Sequence, residues 1–169
     1  MNSGYTLMSI GGLLLFMIAA INANRVVVDS DSEALKSEQY LECASVARAI
    51  FGEIRLKRYD QLAPDTTTVT NPASFTPPPL GPEMGEIFTL PDTGVFKSAS
   101  MYNDIGDYNG YTRIVTTPTA SDTVSIQVSY VDSDSFNTST TRTWLKKINV
   151  TVQNRPRVPP ETFSTIQAY

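Results

Sequence analysis

Three patterns of hydrophobic and polar positions divide the chain. From Ser3 to Asn24 no side chain is charged, and apolar residues crowd together without a polar face, among them Leu7, Ile10, Leu13, Leu14, Phe16, Met17, Ile18 and Ile21. A helix that is apolar all round has to be surrounded by apolar matter, whether lipid or other helices. Tyr5 to Ala23 is nineteen residues, which as helix cover roughly 28 Å, about the hydrocarbon thickness of a bilayer. Gly11 and Gly12 lower helix propensity but allow another backbone to come close.

The second pattern runs from Arg25 to about Tyr59. Gly52 is its only glycine and it has no proline, while Ala34, Leu41, Ala44, Ala47, Phe51 and Ile54 recur at spacings near three and four. This predicts a helix with one apolar stripe. Glu33, Lys36, Glu38, Glu42, Arg48, Glu53, Arg55 and Lys57 lie opposite, on a face for solvent or another subunit, with Glu53 and Lys57 in the favourable i,i+4 order. Ser30 to Glu33 match a capping box, but no proline forces a break, so one long rod is expected. Cys43 falls within it as a small buried residue, and a single cysteine makes no internal disulfide.

Beyond Tyr59 the pattern changes to period two. Residues 62–94 are rich in proline and threonine, including Pro77-Pro78-Pro79, which excludes regular helix and favours extended loop with short edge strands. Val124, Ile126, Val128 and Tyr130 alternate with polar residues, as do Ile148, Val150 and Val152. Two half-buried strands follow, antiparallel and joined through the polar loop 132–142. Asn109-Gly110 predicts a tight turn leading into a strand at 111–116. The tail after residue 155, ending in ETFSTIQAY, predicts a short strand or docking segment. The fold class is therefore α+β, with a helix over residues 1–60, apolar then amphipathic, and a small antiparallel β domain over 61–169.

Composition narrows the chemistry. The chain has 169 residues, a net charge of −4 and no histidine. Acidity argues against nucleic acid, and the lack of histidine removes Ser-His-Asp and Cys-His nucleophile systems and the usual zinc sites. No phosphate-binding G-x-x-x-x-G-K-[ST] loop occurs. Acidic clusters stand at Asp29/Asp31/Glu33, Asp104/Asp107 and Asp132/Asp134. A calcium loop built on DYNG fails its register, since Ile105 would be its first ligand and Thr116 its closing glutamate. These acids are expected to be solvated faces, loops and turns, with no catalytic residue, metal or cofactor. Asn137 and Asn149 begin N-x-S/T sequons, acceptors in an organism that glycosylates exported proteins and chance matches otherwise.

An apolar helix opening on Gly4-Tyr5-Thr6-Leu7, continuing into an amphipathic helix and then a small antiparallel β domain, resembles the type IV pilin and pseudopilin superfamily. The resemblance is architectural over the whole chain and motif-level only at the N-terminus. It implies a leader junction between Gly4 and Tyr5, and it places Ser9 where the family carries a glutamate that neutralises a neighbour's N-terminal amine. With that glutamate missing and no basic leader residues, the expectation is a chain that keeps Met1 to Gly4 and assembles by apolar packing. The implied function is a structural subunit of an extracellular filament, a homopolymer waiting in the inner membrane and assembled by pilus or secretion-type machinery. The alternatives are a minor pseudopilin of a secretion or uptake machine, and a membrane-anchored binding module.

Overall fold

The computed structural model describes residues 3–63, 68–90, 94–97, 101–117, 121–153 and 159–169. Met1 and Asn2, and the prolines at 64, 91 and 156, lie outside the described residues. One helix, α1 (Ser3–Arg55), passes unbroken through Ser30 to Glu33, so the capping-box residues do not start a second helix. Two strands, β1 (Ile87–Leu90) and β2 (Gly94–Lys97), pair as an antiparallel ribbon. A four-stranded antiparallel sheet follows in chain order, built from β3 (Thr112–Thr116), β4 (Ser121–Val131), β5 (Leu145–Gln153) and β6 (Glu161–Ala168). The α+β class and the four strands expected in the last third of the chain are present.

The chain forms two compact units, Met1–Leu41 and Glu42–Tyr169, so the second unit begins inside the helix. In that second unit, the end of α1 packs against one sheet face. Cys43, Ala47, Ile50 and Ile54 are at most 3% exposed, and they share a core with Val124, Ile126, Val128, Ile148, Val150 and Val152. Alternation does the placing: β4 and β5 send every second side chain into this core, because successive residues of a strand face opposite ways. The register pairs Val124 with Val152 and Ile126 with Val150, so apolar residues stand opposite each other across the ladder.

The turn at Asn109-Gly110 is of type II. Asn109 has φ −66° and ψ 120°, Gly110 has φ 76°, and Tyr111 N donates to Tyr108 O at 3.0 Å. The positive φ explains the glycine. Asn109 also pins the turn, its Nδ2 donating to Leu80 O and its Oδ1 accepting from Val128 N. Tyr102, Tyr108 and Tyr111 close this corner edge to face, with ring centroids 5.0 to 6.0 Å apart.

Candidate functional site: an apolar helix and a buried polar centre

In the first unit the apolar residues of α1 are uncovered. Leu7 and Phe16 are 73% and 75% exposed, and Ile10, Leu13, Leu14, Met17, Ile18 and Ile21 are all more than half exposed. Consecutive residues from Leu13 to Ile18 point around the whole circumference at 100° per step, so no single face accounts for them. The helix is long and apolar enough to cross a membrane by length and composition. Gly11 and Gly12 have no atom within 4 Å of where a Cβ would stand, which leaves an open notch. Ser9 donates its hydroxyl to Tyr5 O at 2.9 Å. That bond satisfies the hydroxyl inside its own helix, so it needs no partner in an apolar setting.

The expected stripe splits at the boundary between the units. Ala47 and Ile54 are buried, Ala44 and Phe51 are half-buried, and Leu41 is 67% exposed. Val46 and Ile50 complete the buried line. Glu53, expected to face outward, instead turns to the sheet. Its carboxylate accepts from the Tyr108 hydroxyl at 2.9 Å and from Arg113 at 3.1 Å. Lys57 donates to Tyr102 O at 2.6 Å.

The charges of the second unit overturn the expectation of a solvated surface. Lys146 precedes Ile148 by two residues, so the strand carries its side chain to the buried face, where it is wholly covered. Its Nζ meets Asp60 Oδ2 at 3.0 Å and Tyr59 O at 2.6 Å, and lies 4.7 Å from the Tyr59 ring centroid. Asp60 is equally buried, accepting also from Thr76 N and Oγ1, Leu62 N and the Tyr130 hydroxyl. Burial by itself would raise the Asp60 pKa, but the Lys146 charge and the bonds from Lys146 and Thr76 outweigh it and hold the carboxyl below its ordinary value.

Asp104 and Asp107 are buried rather than solvated. Asp104 Oδ2 accepts from Gln61 N at 2.7 Å, and its Oδ1 receives Gly106 N. Asp107 Oδ2 accepts from Asn103 N and Asp104 N at 2.8 and 2.9 Å. Asp104 fastens the turn after α1 to the segment before β3, and Asp107 closes that segment on itself, tasks that need acceptors inside the fold. By contrast, Asp132 sits on an exposed turn, accepting from Asp134 N and Ser135 N, as solvated turn chemistry predicts. Asp29, Asp31 and Glu33 are also exposed on α1.

A second acidic group lies beside this turn. One carboxylate oxygen each from Glu83, Glu86 and Asp107 lies within 4.8 Å of the others. Asn103 Nδ2 donates to Glu86 Oε1 at 2.6 Å, and Glu83 N donates to Glu86 Oε2 at 3.1 Å. Burial, then hydrogen bonding to Glu86 and the charges of Asp107 and Glu86, raise Glu83 to about 8. Burial chiefly raises Asp107 to about 6. Among the sequons, Asn137 is exposed on the loop after β4, whereas Asn149 is half-buried in β5 and accepts from Ser164 Oγ at 2.7 Å.

Compared with family models, with curated proteins and with solved structures, the chain finds no match in any of the three.

Proposed function

We propose that this chain is a structural subunit of a pilus-like extracellular filament. Its apolar helix waits in a membrane and then packs among copies of itself in the fibre core, with the β units outside. One observation carries the reading: residues 7–21 expose large apolar side chains on every side, while the second unit closes a core of its own. Burial of each large side chain contributes about 1.5–3 kcal/mol relative to water. Relative to lipid the gain is far smaller, so moving the helix from membrane to fibre needs an external machine.

Gly12→Leu, with Gly11→Leu beside it, separates a fibre core from a simple tether. Added bulk leaves the segment as apolar as before and able to span, but fills the notch through which a neighbouring helix approaches. Electron microscopy of material sheared from cells is expected to show filaments for the native chain and none for the variants, with membrane-fraction levels unchanged. Native cells without filaments, or filaments of normal yield from both variants, would sink the assembly reading and leave a membrane-anchored module.

A further inference from the structure

We propose that Glu83, Glu86 and Asp107 form a site for a hard divalent cation, Ca²⁺, in the folded β unit. Three carboxylate oxygens lie within 4.8 Å of one another, so a point between them is at most about 2.8 Å from each, a small adjustment from the roughly 2.3–2.6 Å of Ca–O bonds. Oxygen-only donors of irregular arrangement suit Ca²⁺, whereas Mg²⁺ demands a near-regular octahedron and zinc prefers nitrogen and sulfur.

Two further features belong to a ligand rather than to the fold. Asp107 is fully buried, yet only its Oδ2 is used by the backbone; its Oδ1 has no donor among the described residues, and neither has Glu83 Oε2. The Tyr102 hydroxyl, on a residue 2% exposed, also has no partner among the described residues. Buried acceptors and a buried hydroxyl without partners are costly, and each is satisfied by a cation or its bound water. With carboxylate oxygens of Glu83 and Glu86 within 4.8 Å of each other, their like charges repel unless a proton or a cation lies between them. Asn103, bonded to Glu86 Oε1, orients one ligand as an outer partner does at known metal centres. This site differs from the DYNG loop, whose register excludes it: only Asp107 is common to both.

The full-length chain in detergent micelles tests the site, independently of filament formation. Tb³⁺ is the luminescent probe, excited through nearby tyrosines, with Ca²⁺ and Mg²⁺ as competitors. The native chain is expected to bind one Tb³⁺ that Ca²⁺ displaces at lower concentration than Mg²⁺. Glu83→Gln and Glu86→Gln are expected to weaken Ca²⁺ by about tenfold or more. Thermal melting supplies a second reading: CaCl₂ raises the melting temperature of the native chain above its value in chelator and leaves that of Glu83→Gln almost unchanged. A native chain with no Tb³⁺ luminescence and the same melting temperature in chelator and in CaCl₂ would show that the acids share a proton instead. Ca²⁺ binding by Glu83→Gln at native strength would equally overturn the assignment.

Discussion

The two units of this chain handle polarity in opposite ways. The first carries its large apolar side chains outward, with Phe16 75% and Leu7 73% exposed, whereas the second carries charges inward, with Lys146, Asp60 and Asp107 fully covered. Charges can be buried at the second where partners from the same fold meet them, as Thr76, Tyr130 and Lys146 meet Asp60. Apolar residues can be exposed at the first only if something outside the chain covers them, since a contiguous apolar surface of that size marks a lipid or protein contact. One unit closes an apolar core from within, and the other leaves its apolar side chains uncovered.

The largest expected effect comes from breaking the outward unit. Leu14→Asp or Phe16→Asp puts a charge at a cost of about 2.5–3.5 kcal/mol near the centre of a span. If the chain assembles as proposed, filaments vanish from sheared material and the chain leaves the membrane fraction, while the melting of the β unit stays unchanged. Retention of filaments in both would remove the contrast between the units.

Breaking the inward unit comes next. Asp60→Asn leaves Lys146 buried without its counter-charge, and a loss of about 3–5 kcal/mol is expected in urea unfolding. Replacing both partners, Asp60→Leu with Lys146→Met, should recover part of that loss, because the uncompensated charge is gone. The pH dependence has a definite sign. A depressed folded pKa means that the native state binds fewer protons than the unfolded chain, so the Asp60 contribution is full above the ordinary value of 3.8 and is lost as pH falls below it. Acid titration of Asp60→Asn should lack that component.

Two smaller tests sharpen the same contrast. A Cβ at Gly106 would stand 2.9 Å from Asp104 Oδ1, an atom already fixed by the turn. Gly106→Ala should therefore cost about 1–3 kcal/mol of stability in the same unfolding assay, and a neutral result would mean that the Asp104 turn is loose. The smallest effect is expected at the rim. Arg113 and Glu53 pair at 3.1 Å with each side chain about a third exposed, so Arg113→Ala should cost no more than about 1 kcal/mol.

The sequence by itself determined what periodicity encodes. An uncharged run predicted the apolar helix, three-and-four spacing predicted its continuation, and alternation in β4 and β5 named Val124, Ile126, Val128, Ile148, Val150 and Val152 as inward residues. Cys43 was legible as a buried helix residue from its type, since a free cysteine packs as a small apolar side chain. Lys146 shows where that code stops: its phase matches Ile148, which was visible, but a charge at an inward position is tolerable only with a partner, and Asp60 is 86 residues away. Likewise Asp104 and Asp107 look like turn acids until the fold pairs Asp104 with the Arg58 to Gln61 segment and brings Glu83 and Glu86 to Asp107. Local pattern reports which way a side chain points. Tertiary structure alone decided which charges meet there, because long-range pairing depends on chain topology that no local period records.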